Sequence, residues 1–235
     1  TLDVAGLTAG DRFDFRLTVE NGSGTEVKTR SGIVIDPTLR AGWPQQIVPV
    51  ADYQYLTVVD LDSDGVKEIL VGSGNEVVVF EPDGSVRPGW PQSVATIGHP
   101  AVDTLGSPLV ADVTGDGAPE VITTNRYELL VWSRDGVLLP GFPRVVDVFG
   151  GGNAWLTAGD LDGDGKDEIL CSAAMGTQAF FGDGREVPGW NRFAELSDSA
   201  LTAADVLGDS RVEVAMYNRS FKLDVPGHTL GLHGP

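Results

Sequence analysis

Apolar residues recur along the chain in short runs separated by tight polar turns. In the clearest stretch, Tyr55-Leu56-Thr57-Val58-Val59 enters an acidic turn and Glu68-Ile69-Leu70-Val71-Gly72 leaves it. Asn75-Glu76 then reverses the chain into Val77-Val78-Val79-Phe80, and Pro82-Asp83-Gly84-Ser85 reverses it again. Such β-branched and aromatic runs, bounded by Gly, Asn, Asp and Pro, predict β-strands. A Gly-Trp-Pro segment closes the unit, and its proline restricts it to an edge or irregular strand. Four antiparallel strands are predicted per unit, and no segment has helical periodicity. Nearer the start, Phe13, Phe15, Leu17 and Val19 alternate with polar residues and predict a half-buried strand. Asn21-Gly22-Ser23-Gly24 is a hairpin signal, with Thr25 to Ile35 as the returning strand.

Two motifs show that the unit repeats. Asp60-Leu61-Asp62-Ser63-Asp64-Gly65-Val66-Lys67-Glu68 returns as Asp160-Leu161-Asp162-Gly163-Asp164-Gly165-Lys166-Asp167-Glu168. Asp112-Val113-Thr114-Gly115-Asp116-Gly117-Ala118-Pro119-Glu120 is a variant, and Asp205-Val206-Leu207-Gly208-Asp209-Ser210-Arg211-Val212-Glu213 a degraded copy. The copies start at 60, 112, 160 and 205, steps of 52, 48 and 45 residues. In phase with them run Gly42-Trp43-Pro44, Gly89-Trp90-Pro91, Gly141-Phe142-Pro143 and Gly189-Trp190-Asn191. Four strands in this length make the size of a β-propeller blade. The repeated aromatics are expected to pack between adjacent sheets, with sugar-stacking platforms as the alternative.

Several carboxylates within nine residues repel one another unless a cation sits among them. A hard divalent ion does this, and calcium fits best because it accepts six to eight oxygens in a loose shell. The rest of the composition narrows the function. The 235 residues carry 34 acids against 16 Lys and Arg, a net charge of −18, which disfavours nucleic acid as a partner. No stretch approaches 18 apolar residues, so no membrane insertion is expected. Cys171 stands alone in an apolar run and is expected to be a buried thiol. His99, His228 and His233 have no zinc spacing, and no Gly-x-Ser-x-Gly motif is present. An enzyme is not expected.

Residues 50–217 resemble the FG-GAP/VCBS repeat family, whose blades carry an Asp-x-Asp-x-Asp-Gly-x-x-Asp/Glu calcium loop between first and second strands, as in the integrin α-subunit. The ending that runs from Asp83-Gly84 to Gly89-Trp90-Pro91 resembles that of secreted bacterial proteins with such repeats. The resemblance implies an all-β fold, a β-propeller of about four four-stranded blades over 36–235. That set is either a complete small ring or part of a larger one. It implies two or three calcium ions. Their ligands would be Asp60, Asp62, Asp64, Glu68 and the Val66 carbonyl; Asp160, Asp162, Asp164, Glu168 and the Lys166 carbonyl; and, less completely, Asp112, Thr114, Asp116, Glu120 and the Ala118 carbonyl. The loop at Asp205, with Leu207 at the third place, is expected to be empty or poorly filled. Residues 1–35 resemble the last strands of a fibronectin type III-like sandwich, a β-sandwich-like remnant that implies attachment to further domains in a longer chain. The expected function is adhesion or recognition of an extracellular protein or glycan, with calcium as a structural ion. The setting would be a secreted or cell-surface bacterial protein, since weak calcium loops fill only near millimolar calcium. A lectin and a non-catalytic accessory domain of a secreted hydrolase, such as a subtilisin-like protease, are the alternatives.

Overall fold

The computed structural model describes residues 12–21, 24–34, 42–43, 45, 47, 54–96, 105–125, 127–146, 155–173, 176–190, 201–205, 212–218 and 229–233. Every regular element among them is a β-strand. The chain divides into two compact units, Thr1–Gln45 and Gln46–Pro235. In the first, β1 (Arg12–Asn21) and β2 (Gly24–Val34) form an antiparallel hairpin, with Asn21 opposite Gly24 and a register irregularity between Phe13 and Phe15. The Asn-Gly-Ser-Gly signal thus sits where the chain reverses, although residues 22 and 23 lie outside the described residues.

The described residues of the second unit form four sheets. The first is β3 (Gln54–Val59), β4 (Glu68–Ser73), β5 (Glu76–Phe80) and β6 (Gln92–Ser93), in that order. The second repeats it with β7 (Leu105–Ala111), β8 (Glu120–Thr124), β9 (Glu128–Trp132) and β10 (Arg144–Val145). The third has three strands, β11 (Trp155–Gly159), β12 (Glu168–Ala173) and β13 (Gly176–Phe180). The place expected for its fourth strand, 191–200, lies outside the described residues. The fourth sheet departs from expectation. It joins β14 (Leu201–Ala204) and β15 (Glu213–Asn218) to β16 (Thr229–His233), and β15 and β16 run parallel. Residues 229–233, to which the repeat pattern assigns no strand, therefore form one. Thr229-Leu230-Gly231-Leu232-His233 does have a two-residue period, too short to stand out beside its glycine and histidines.

The continuous apolar character of the second and third strands follows from burial on both faces. Val121, Leu130 and Trp132 face a core shared with Leu70, Val77, Val79 and Trp90 of the first sheet. Their neighbours Ile122, Leu129 and Val131 face the opposite core, shared with Ile169, Cys171 and Phe180 of the third. Leu170 and Ala179 then meet Leu201 and Val214 of the fourth. Because strand side chains alternate, a sheet with a core on each side needs apolar residues at every position. Cys171 is buried as expected, and burial pushes its thiol up to about 12.

Successive sheets are joined at their first strands. β3 packs on β7, β7 on β11, and β11 on β14. Thr57, three residues before its acidic turn, donates its hydroxyl to the Pro108 carbonyl, and Thr157 at the matching place accepts the Ala203 N–H at 3.3 Å. At the start of the series Leu56 and Val58 are exposed, whereas Leu156 and Leu201, which match Leu56, are half-buried and buried.

The sheets are joined again near their last strands. Trp90 is 6% exposed, stacks edge-to-face on Trp132 with ring centroids 6.0 Å apart, and donates Nε1–H to the Arg134 carbonyl of the next sheet at 3.0 Å. Phe142 and Trp190 are also buried. These aromatics are packing residues, not open platforms. Gly141, at φ +94°, lies so near the following sheet that a Cβ on it would stand 2.1 Å from the Asp183 carbonyl oxygen. Gly89 makes the same approach to Asp135.

Candidate metal centre

Each acidic turn spans the gap between the first and second strands of a sheet, so the strand pairing fixes its two ends. The turn is wound around its first aspartate. Asp60 accepts N–H bonds from Asp64 at 3.1 Å and Gly65 at 2.9 Å. Asp112 accepts from Gly115 at 2.7 Å and Gly117 at 2.9 Å. Asp160 accepts from Gly163, Asp164 and Gly165 at 2.7, 3.1 and 2.9 Å. The closing glutamate opens the second strand and is buried there. Its Oε2 accepts the N–H of the residue after that aspartate: Leu61 to Glu68 at 2.7 Å, Val113 to Glu120 at 3.0 Å, and Leu161 to Glu168 at 2.7 Å.

In the two full copies this winding gathers carboxylates. Oxygens of Asp60, Asp62 and Glu68 lie within 4.8 Å of one another, as do those of Asp160, Asp162 and Glu168. Oxygens bound to one calcium ion at about 2.3–2.6 Å each are separated by no more than about 5 Å, so both triads fit such an ion. An independent sign comes from Asp62 Oδ1, which is buried and has no hydrogen-bond partner. A buried carboxylate oxygen without a donor is costly, and a cation supplies what it lacks.

The remaining expected ligands are placed differently. Asp64 and Asp164 stand outside the triads. Asp64 Oδ1 accepts the Val66 N–H at 2.7 Å; Asp164 accepts the Lys166 N–H at 2.9 Å and pairs with its Nζ at 3.1 Å. Asp116 accepts the Ala118 N–H at 2.8 Å. The loop at 112 has Thr114 in place of a carboxylate at the third position, and the Thr114 hydroxyl lies 3.4 Å from Glu120 Oε1 as a donor. In the fourth copy Asp205 is exposed and Glu213 buried, while residues 206–211 lie outside the described residues.

The charges respond to this enclosure. Burial pushes the Glu120 and Glu168 carboxyls from 4.5 up to about 7 and raises that of Glu68. Arg87, by hydrogen bonding to Asp62, holds that carboxyl below its ordinary value, and Lys166 does the same for Asp164.

Sequence reasoning missed three parts of the site. Arg87 belongs to the Gly-Trp-Pro segment yet reaches the loop at 60. The loops at 112 and 160 touch, through an Asp167 N–H bond to the Asp112 carbonyl at 3.0 Å. A cavity of about 390 Å³ opens beside the loop at 160, lined in part by Thr114, Lys166, Phe181 and Arg185. Only a repeat-by-repeat comparison at Arg87, where the copies read Arg40, Arg87, Leu139 and Val187, carries a signal in the sequence.

A family model for an FG-GAP-like repeat matches the chain twice, over residues 60–123 and 112–171. No curated protein matches it in sequence. Among solved structures the chain is similar to the V. cholerae biofilm matrix protein Bap1, with 20% identity and a TM-score of 0.50, over 76% of this chain and 31% of Bap1. It is also similar to an Agrocybe aegerita lectin described as recognising non-reducing terminal N-acetylglucosamine, with 20% identity and a TM-score of 0.46, over 86% of this chain and 55% of the lectin. The chain thus spans about a third of Bap1 and about half of the lectin.

Proposed function

From FG-GAP-like repeats in which two turns each gather three carboxylates, we propose that the chain is a calcium-binding β-propeller segment of an extracellular adhesion or recognition protein. Calcium serves as a structural ion. The observation that carries this reading is the pair of matching triads, Asp60-Asp62-Glu68 and Asp160-Asp162-Glu168, each held by hydrogen bonds from its own turn. The serial packing of first strands supports blades arranged about an axis. The β1–β2 hairpin is consistent with a fibronectin type III-like remnant. Weak, partly exposed calcium turns stay filled near millimolar calcium, which favours a secreted or surface setting. The chain itself is proposed to be non-catalytic, part of a larger protein, with an extracellular protein or glycan as ligand.

A second reading, carbohydrate binding, draws on the cavity beside the loop at 160. Arg185 lies over the Phe181 ring there, 5.3 Å from its centroid, and offers an apolar face beside polar groups. The buried Trp90, Phe142 and Trp190 lend it nothing.

Native mass spectrometry of the whole chain tests the main reading. Two calcium ions per chain are expected, with a third only if the loop at 112 fills, and Asp162→Asn is expected to remove one. A chain that takes up no calcium at millimolar concentration overturns the reading. A glycan array decides the second.

A further inference from the structure

The two full copies of the turn are not equivalent. Arg87 Nη2 donates to Asp62 Oδ2 at 2.9 Å and Nη1 to Glu81 Oε1 at 3.1 Å, with the Arg87 side chain only 11% exposed. Its place in the repeat is fixed by the backbone. Arg87 N–H bonds to the Val79 carbonyl just as Leu139 N–H bonds to Val131 and Val187 N–H to Ala179. Among the described residues, those matching Arg87 are therefore Leu139 and Val187, which pack against apolar cores. Among the described residues no guanidinium is paired with the triad at 160. Its nearby cations pair elsewhere, Lys166 with Asp164 and Arg185 with Asp183.

We propose that Arg87 sets the calcium affinity of the turn at 60, as a built-in cation that neutralises part of the triad when no ion is bound and opposes the ion when one is. This rests on the calcium reading above. Two arguments agree on the direction. First, Arg87 already bonds Asp62 Oδ2 while Oδ1 is buried without a partner, so a metal binding both oxygens of Asp62 has to compete with the guanidinium. Second, a guanidinium and a divalent ion on one carboxylate repel at a few ångströms, in surroundings where water screens them poorly. Without the ion the same guanidinium relieves the repulsion among Asp60, Asp62 and Glu68. The ion-free state gains and the loaded state loses, so affinity falls. The turn at 160 fills first, and the turn at 60 keeps its shape when calcium is removed.

The test is calorimetric titration of the calcium-free whole chain with calcium alone. Wild type is expected to show a tight and a weak class of site. Asp162→Asn removes the tight class, which assigns it to the turn at 160. Arg87→Leu, which installs the residue found at 139, is expected to tighten the weak class at least tenfold and leave the tight class unchanged. Arg87→Gln, neutral but still able to hydrogen bond, is expected to tighten it as well, and it serves if the leucine variant fails to fold without calcium. Affinity at the weak class that falls or stays constant in these variants overturns the proposal while the calcium reading stands. No binding by wild type or by either variant overturns both.

Discussion

Gly141→Ala is expected to lower the melting temperature of the chain by about 10 °C, from a cost of about 3–5 kcal/mol at about 2–4 °C per kcal/mol for a domain of this size. Two effects combine. The backbone at Gly141 has φ +94°, where an L side chain costs about 1–2 kcal/mol. The new Cβ would also stand 2.1 Å from the Asp183 carbonyl oxygen, which belongs to the backbone of the next sheet. That backbone cannot retreat freely, because Gly184 is itself pressed against the Gly141 carbonyl. Gly165→Ala is the control. Its φ is +87°, but a Cβ there meets nothing within 4 Å, so only the smaller conformational cost applies. Thermal melts in saturating calcium separate the two. Equal losses for the two variants would mean that the close approach between sheets carries no weight.

Chelation is expected to lower the melting temperature by about 10–20 °C. A ligand at a hundred times its dissociation constant stabilises by about 2.7 kcal/mol per site, so two filled turns contribute about 5 kcal/mol. An unchanged melt in EDTA would contradict this. Acidity reverses the sign. In the chelated fold the Glu120 and Glu168 carboxyls stand at about 7 instead of 4.5. Their contribution to stability is complete below 4.5 and is lost as pH rises through about 7. The chelated chain is thus expected to melt higher at pH 5 than at pH 8. Asp62 and Asp164, held below 3.8, act only in more acid solution. With calcium the order inverts, because Glu168 must be ionised to bind, and the gain from calcium shrinks toward pH 5. Glu168→Gln makes the same point without changing pH. It keeps an acceptor for the Leu161 N–H, removes a buried charge, and is expected to melt higher than wild type in chelator while losing most of the calcium gain from that turn.

The parts of the fold set by local spacing were legible in the sequence. The strands on either side of each turn, the hairpin at Asn21 and Gly24, and the gathering of Asp60, Asp62 and Glu68 depend on residues within a few positions of one another. So does the packing role of Trp90, Phe142 and Trp190, because one aromatic at one phase of a repeat sees the same neighbours each time. What the sequence hid is tertiary. Arg87 reaches a turn 25 residues away. The approach of Gly141 to Asp183 looks in sequence like an ordinary turn glycine. The parallel pairing of β16 depends on where the chain returns, which alternation of Leu230 and Leu232 does not encode. Asp64 and Asp164, expected as ligands, stand outside the two triads; spacing shows how many acids a turn contains, but not how its backbone orients each of them.

Successive sheets are fastened near both margins: the first to the second by Thr57 and Trp90, the second to the third by the packing of β7 on β11 and by Gly141, and the third to the fourth by Thr157 and Trp190. A sheet held only at one margin could swing loose by itself, as units of linear repeat arrays do. Fastening at two makes solitary detachment as costly as disrupting both adjoining cores. Heat should accordingly dismantle residues 54–218 in one calorimetric peak, not in a staircase of small ones.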